Sequence, residues 1–303
     1  MADLKVSVAG VEFHNPLIAA SGTFGFGREY AEFYPLSALG GISSKGITLK
    51  ARPGNPAPRI AEAPGGMLNA VGLQNPGVDH FIEKDLPWLR EQGVTIIANI
   101  AGNTPEDYCA MAEKLNDTDI DMIEMNISCP NVKQGGVQFG TSCAGVEDIT
   151  KAVRAHCKKP LMVKLSPNVT DISEIALAAE SAGADAVSMI NTLTGMRIDI
   201  NTKRPIIHNN TGGFSGPALL PIAVRMVWQT YQKVKIPIVG LGGISTWQDA
   251  VEMLLAGATA LQIGTVLFTD PYAPVKIIEG LTNYMDKNSV KTLSELTGAM
   301  RPW

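Results

Sequence analysis

The sequence predicts an α/β fold in which eight parallel strands close into a single (β/α)8 barrel, the TIM-barrel class. Short β-branched or apolar runs recur along all 303 residues, and stretches with helical spacing separate them. Runs that are apolar throughout are typical of parallel strands buried on both faces, and alternation with helices requires parallel pairing. Eight such strands in a chain of this length indicate a closed barrel that occupies residues 1–303 as one domain.

The predicted strands follow one another along the whole chain. They are residues 17–20, 41–44, 95–98, 122–126, 161–165, 186–190, 236–241 and 260–263. Before the first of them, residues 4–8 and 11–13 have the pattern of a hairpin turned at Ala9 and Gly10. We expect this hairpin to close the bottom of the barrel.

Helices are predicted between the strands, at residues 105–115, 146–156, 172–181 and 246–255. Thr104, Asp171 and Ser245 each stand near the start of a helical stretch, where a side-chain oxygen can cap the first turn. In three joints a glycine ends a helix just before a strand, as Gly183 and Gly257 do. The repetition of this joint supports a series of βα units.

Long segments follow three of the predicted strands, at residues 46–79, 129–146 and 193–217. Loops of this length are usually functional, and in a barrel the loops that follow strands lie at the face that carries the active site.

Lys45 and Lys164 stand at or beside the ends of apolar strands. An ammonium group there is costly unless it faces an anion or an electron-rich ligand, so we expect at least one of the two to face a ligand.

Glycines end the last two predicted strands, in Gly-Leu-Gly-Gly at 240–243 and at Gly264. Backbone N–H groups can approach an anion closely where no side chain intervenes, and the loops after strands 7 and 8 form the usual phosphate site of these barrels. The pattern predicts a phosphorylated ligand, with tight packing turns as the structural alternative.

Amides are also frequent at strand ends and in the long loops, and they suit a planar ligand with alternating N–H and carbonyl groups. They are Asn69, Asn99, Asn126, Asn131 and Asn191.

Composition argues against several classes of protein. A net charge of -4 provides no basic surface for nucleic acid or anionic membrane. Four cysteines without a C-x-x-C pair, and four isolated histidines, indicate neither a disulfide framework nor a metal site. No secretory pattern opens the sequence, and its most apolar stretch, 253–268, is too short to span a membrane. We therefore expect a cytoplasmic protein with a small-molecule ligand.

The stretch Asn-Ile-Ser-Cys-Pro-Asn at 126–131 is similar to the N-x-S-C-P-N catalytic loop of family 1 dihydroorotate dehydrogenases. Further matches follow in family order over nearly the whole chain, at 21–22, 44–46, 54–56, 69–73, 163–165, 240–243 and 262–265. The resemblance implies an FMN-binding barrel that oxidises (S)-dihydroorotate to orotate in the de novo pyrimidine (UMP) pathway.

The resemblance also implies a role for each matching residue, with Cys129 as the catalytic base. It implies FMN contacts at Ser21, Lys45, Gly46, Asn99, Asn126, Lys164, Ile190, Gly216, Gly242, Gly243, Gly264 and Thr265. It implies substrate contacts at Lys45, Asn69, Ala70, Val71, Gly72, Leu73, Asn126, Asn131, Asn191 and Thr192.

Electrons taken up by FMN must pass to another molecule. The chain has neither a G-x-G-x-x-G turn that opens a βαβ unit nor cysteine spacing typical of a cluster, so it is not expected to house NAD or iron-sulfur. The segments at 22–27 and 194–197 resemble the NAD-linked class 1B. That class implies a partner subunit that carries FAD and a [2Fe-2S] cluster, in a heterotetramer of two plus two, with NAD as acceptor.

Other functions stay open on the sequence. The nearest are the fumarate-linked dihydroorotate dehydrogenase class and the FMN-barrel part of a dihydropyrimidine dehydrogenase, which acts on uracil or thymine. A Schiff-base aldolase that uses Lys164 or Lys45 belongs to a different reaction class. A non-catalytic module that binds a phosphorylated ligand is the last alternative.

Overall fold

The computed structural model describes residues 2–128 and 139–303. Its strands in chain order are β1 (Val6–Val8), β2 (Val11–Phe13), β3 (Leu17–Ala19), β4 (Gly41–Ser43), β5 (Ile60–Ala63), β6 (Gly66–Asn69), β7 (Thr95–Ile100), β8 (Met122–Asn126), β9 (Leu161–Lys164), β10 (Ala186–Met189), β11 (Leu193–Gly195), β12 (Ile198–Asp199), β13 (Arg204–Pro205), β14 (Gly212–Ser215), β15 (Ile238–Leu241) and β16 (Ala260–Ile263).

Eight of these strands form a closed parallel barrel: β3, β4, β7, β8, β9, β10, β15 and β16. Each pairs with the next barrel strand along the chain, and β16 closes the ring on β3 with Leu261 opposite Leu17. Their residues are almost all buried, as expected for strands covered on both faces. The (β/α)8 prediction and all eight predicted strands are confirmed.

Helices surround the barrel, and the four predicted ones are among them. Their bounds are Val78–His80, which continues through a π turn at Phe81–Asp85 into Leu86–Glu91, then Pro105–Asn116, Cys143–His156, Ile172–Ser181, Leu220–Tyr231, Trp247–Leu255 and Ala273–Lys287. Short 3-10 helices occur at Tyr30–Glu32, Leu36–Ala38, Pro217–Leu219, Thr265–Phe268 and Leu293–Glu295. Gly183 and Gly257 end their helices with left-handed φ values of 97° and 123°.

Side-chain caps begin several of the helices. The predicted caps Thr104 and Asp171 accept hydrogen bonds from the backbone N–H groups of Asp107 and Ser173. The prediction of Ser245 as a cap is wrong. Thr246 caps that helix in a capping box, whereas the Ser245 hydroxyl donates to the Gly243 carbonyl at 3.1 Å.

The predicted hairpin lies at the bottom of the barrel. β1 and β2 pair antiparallel, with Val8 opposite Val11 across the turn. Phe13 is buried at the end of β2, and its ring lies where a Cβ atom on Gly41 would have to be. Gly41 is the first residue of β4, so the hairpin covers the amino-terminal ends of the barrel strands.

A second sheet lies on the opposite side, in the long segments that follow barrel strands. β5 and β6 come from the predicted loop at 46–79, and β11 and β14 come from the predicted loop at 193–217. They form one antiparallel sheet in the order β11-β14-β6-β5. Gly213 pairs with Asn69, so two segments remote in sequence are joined above the barrel. Leu68, Ala70 and Ile207 form a small separate core there.

Candidate active site

A cavity of about 480 Å³ opens at the carboxyl-terminal ends of the barrel strands, under the second sheet. Most of the residues predicted for the site line it. They are Ser21, Lys45, Gly46, Asn69, Val71, Gly72, Leu73, Asn126, Lys164, Ile190, Asn191, Thr192, Gly216, Gly242, Gly243, Gly264 and Thr265. Parallel strands that close into a ring bring all their carboxyl ends to one face, which is why positions so remote in sequence meet here.

Four predicted residues are not part of that wall. Cys129 and Asn131 lie outside the described residues. Ala70 is buried in the small core of the upper sheet, where its carbonyl accepts from Asn55 Nδ2 at 2.9 Å. Asn99 is fully buried beneath Gly46, and its Oδ1 has no hydrogen-bond partner among the described residues.

Lys164 lies at the floor of the cavity and is only 4% exposed. Its Nζ is 3.9 Å from Glu124 Oε1, and it donates to Gln262 Oε1 at 3.5 Å. Since an isolated buried ammonium is costly, Glu124 supplies the anion that the sequence argument required. A Schiff base requires a lysine amine that is free to attack a carbonyl, whereas Lys164 Nζ is held by Glu124 and Gln262. The arrangement therefore disfavours the aldolase alternative at Lys164.

The sequence analysis missed Glu124, the carboxylate that pairs with Lys164 below the cavity. It has no exposed surface, and burial alone would raise its pKa. The charge of Lys164 and hydrogen bonds from Ser188, Ser43 and Asn99 outweigh burial, and they hold the pKa of Glu124 below its ordinary value. The available signal was a glutamate inside the apolar run of β8, because such a carboxylate requires partners.

Amide side chains gather on the wall formed by β8 and the chain after β10. Asn126 Oδ1 accepts from Ser128 Oγ at 3.2 Å and from Asn191 Nδ2 at 3.3 Å. Asn191 Nδ2 also donates to Ser128 Oγ at 2.6 Å. From the upper sheet, Asn69 Nδ2 donates to the Gly213 carbonyl at 3.4 Å. The amides at 69, 126 and 191 therefore line one cavity, as the strand-end argument predicts.

Three glycines line the cavity after β15 and β16, and they differ in why a glycine is needed at each position. Gly243 has a φ of 83°, and a Cβ atom there would lie 2.4 Å from the backbone nitrogen of Leu220. Gly242 has a φ of 123° and would meet Ala223 at 2.9 Å. Gly264 has a φ of -130°, and its Cβ would lie no closer than 3.4 Å to Thr23. Packing therefore accounts for the first two glycines, whereas at Gly264 the protein itself leaves room for a methyl group.

A closed barrel with a cavity at the carboxyl ends of its strands, lined in part by lysine and amide side chains, places the chain in the class of (β/α)8-barrel enzymes. The family model for dihydroorotate dehydrogenase matches residues 3–285. The chain belongs to the dihydroorotate dehydrogenase family, and it is accordingly an oxidoreductase.

Similar proteins are named as catalytic subunits. The chain is 56% identical over 298 residues to "dihydroorotate dehydrogenase B (NAD(+)), catalytic subunit" of Alkaliphilus metalliredigens, covering 98% of this chain and 99% of the relative. Proteins of the same name from Bacteroides thetaiotaomicron and Petrotoga mobilis are 54% and 53% identical. These alignments cover 99% and 98% of this chain and 99% of each relative.

The described residues lack two features. In 2–128 and 139–303, no group of three or more His, Cys, Asp and Glu side chains could hold a metal ion. In the same residues, every helix is too short or too polar to cross a bilayer.

Proposed function

We propose that this chain is the FMN-binding catalytic subunit of an NAD-linked dihydroorotate dehydrogenase, and that it oxidises (S)-dihydroorotate to orotate in de novo pyrimidine synthesis. The observation that supports this most strongly is that three kinds of residue converge on one cavity: Lys164, the amide wall (Asn69, Asn126 and Asn191) and the glycines (Gly242, Gly243 and Gly264). The names of full-length relatives at 53–56% identity agree with it.

The residues around the cavity fit FMN. About 480 Å³ lies within the usual range of cofactor sites. Asn99 does not line the cavity, but its Oδ1 is a buried acceptor without a partner among the described residues. It lies 3.1 Å from the position of a Cβ atom on the lining residue Gly46, so a ligand N–H that approaches over Gly46 would satisfy it. Gly264 and the neighbouring loop after β15 would receive the phosphate, as these positions do in other barrels. Lys164 would stabilise negative charge that develops on the ring system.

The substrate would lie against the amide wall. Dihydroorotate carries alternating N–H and carbonyl groups, which Asn69, Asn126 and Asn191 can match as donors and acceptors. When bound, FMN supplies the acceptor for the hydride from C6 of the substrate, a role that no side chain can perform. Cys129 would remove the proton from C5. Ser128, the residue before it in sequence, is hydrogen-bonded to Asn126 and Asn191 within the amide wall.

Replacing Gly264 with alanine is expected to weaken FMN binding while leaving the fold intact. The added methyl group meets only Thr23 and Ala20 at ordinary contact distance, but it takes up space in the cavity. We expect the free energy of unfolding of the FMN-free chain to change by less than about 0.5 kcal/mol and the FMN dissociation constant to rise about tenfold or more. Urea unfolding and quenching of FMN fluorescence measure the two effects.

Gly243→Ala is the matched comparison. Its methyl group would meet the Leu220 backbone at a left-handed φ, so the FMN-free chain should lose about 1–3 kcal/mol of stability. Unchanged FMN affinity in Gly264→Ala would contradict the assignment of Gly264 to the cofactor site.

Anaerobic mixing with dihydroorotate tests the proposed reaction. The purified chain should carry a visible flavin absorbance, and dihydroorotate should bleach it without any partner protein. Orotate should form in an amount equal to the flavin bleached. Bleaching by dihydrouracil but not by dihydroorotate would favour the dihydropyrimidine dehydrogenase alternative instead, and a colourless chain that takes up no FMN would overturn the proposal.

Electrons would leave through a partner subunit that carries FAD and a [2Fe-2S] cluster and reduces NAD, in a heterotetramer of two plus two. The relatives' name "catalytic subunit" supports the existence of such a partner. Ile60 and Phe268 at the mouth of the cavity are 57% and 54% exposed, and exposed apolar groups there suit a protein surface that approaches the flavin. Copurification with a flavin and iron-sulfur subunit tests this part, and fumarate as the sole efficient acceptor would contradict it.

A further inference from the structure

A buried polar cluster fills the interior of the barrel directly below the cavity. It combines one carboxylate, one ammonium and four neutral side chains, and each comes from a different barrel strand. The members are Ser43, Asn99, Glu124, Lys164, Ser188 and Gln262, and all are 4% exposed or less. Such a cluster is costly to bury in place of a well-packed apolar core, so it calls for a functional reason.

Four hydrogen bonds within the cluster run toward Glu124. Ser43 Oγ and Asn99 Nδ2 donate to Oε2 at 2.5 and 2.6 Å. Ser188 Oγ and Gln262 Nε2 donate to Oε1 at 2.6 and 2.9 Å. Four donors on two oxygens match an ionised carboxylate, which only accepts hydrogen bonds. The carboxylate is thus fixed from four strands, independently of Lys164.

Lys164 and Gln262 are the members of the cluster that line the cavity, and the Lys164 ammonium is fixed through the others. Its Nζ lies 3.9 Å from Glu124 Oε1 and 3.5 Å from Gln262 Oε1. Glu124 does not line the cavity, so its negative charge acts on a ligand there from behind the ammonium. Lys45, the other cation of the wall, stands after β4 on another part of the ring.

We propose that Glu124 is a positioning residue that holds Lys164 at the floor of the cavity and offsets its charge, and that it thereby lowers the reduction potential of the bound flavin. The proposal rests on the proposed function, because it presumes that FMN occupies the cavity. A lone ammonium beside a flavin stabilises the reduced, electron-rich flavin. The negative charge of a carboxylate on the far side of that ammonium cancels part of this stabilisation. A lower potential favours onward transfer of electrons to a weakly oxidising acceptor such as NAD.

Glu124→Gln tests the proposal through the midpoint potential of the FMN-loaded chain, measured by reductive titration against a reference dye. The substitution keeps the shape and removes the charge, so the potential should rise. We expect the equilibrium between oxidised and reduced flavin to shift by about tenfold or more, equal to about 30 mV for a two-electron couple. An unchanged or lower potential would overturn the proposal.

Ser188→Ala is the matched control, because it removes one hydrogen bond to Glu124 and leaves the charge in place. It should keep the wild-type potential. A rise as large as that of Glu124→Gln would show that the geometry of the network matters and the charge does not. Retained flavin absorbance and a native circular dichroism spectrum check that each variant is folded.

Glu124→Asp is the second variant and decides the question if the glutamine variant is recovered without FMN. It keeps the charge but withdraws the carboxylate from Lys164 by one methylene group. Its potential should lie above that of the wild type, and below that of Glu124→Gln where the glutamine variant binds FMN. A value at or below wild type would contradict the proposal. If the wild-type chain binds no FMN, the proposed function fails. FMN binding with unaltered potentials in both variants refutes only this inference.

Discussion

Cys129→Ser is expected to slow reduction of the flavin by dihydroorotate by about 10²- to 10⁴-fold at neutral pH. An alcohol is a far poorer base than a thiol whose ordinary pKa is about 8.5, so the proton at C5 of the substrate is removed much more slowly. In the wild-type chain, the rate should rise toward alkaline pH as the thiolate fraction grows. Stopped-flow spectroscopy of the bound flavin under anaerobic conditions measures both effects.

Cys143→Ser is the matched control for this prediction. Cys143 is exposed at the start of the helix Cys143–His156 and does not line the cavity. Its replacement should leave the rate of flavin reduction and the FMN content unchanged. Wild-type kinetics in Cys129→Ser would make the assignment of the base untenable, whereas flavin loss without any change in rate per bound flavin would reassign this residue to binding.

Lys164→Ala is expected to combine loss of FMN with a large loss of stability. The substitution leaves Glu124 as an uncompensated buried carboxylate, and breaking a buried ion pair from one side typically costs about 3–5 kcal/mol. The cavity also loses the cation at its floor, so FMN should dissociate during gel filtration. Urea unfolding of the FMN-free chain and the FMN content after gel filtration measure the two losses.

The pH dependence of stability should reverse in this variant. In the wild-type chain the pKa of Glu124 lies below its ordinary value, so its ionised form stabilises the fold above about pH 4.3, and this contribution is lost as the pH falls. Without Lys164, burial should raise that pKa above the ordinary value. The folded variant then binds more protons than the unfolded chain, and its stability should decrease as the pH rises from about 4.3.

The double variant Lys164→Ala with Glu124→Gln separates the two effects. Removing both charges should restore most of the free energy of unfolding, because no buried charge is left unpaired. It should not restore FMN retention, because the cation is still missing. Stability as low as that of Lys164→Ala would show that the ion pair is not the origin of the loss.

Local sequence was sufficient for the fold and for the position of the site. Apolar runs such as 122–126 and 161–165 gave the strands, because parallel strands covered on both faces cannot alternate with polar residues. Glycines such as Gly183 ended helices through their left-handed backbone. Once the number of strands implied a closed ring, the residues at the strand ends had to share one face, and Lys164 and Asn191 could be brought together without coordinates.

Tertiary structure alone decided which side chains meet inside the ring and above it. Glu124 contacts Lys164 on the adjacent strand and Gln262 across the barrel, because the register of the strands sets the height of each inward side chain. The pairing of Gly213 with Asn69 joins two segments that read separately as loops. Such contacts depend on the relative register of strands that are remote in sequence, which no local pattern encodes, so the partner of the buried lysine was visible only in the folded chain.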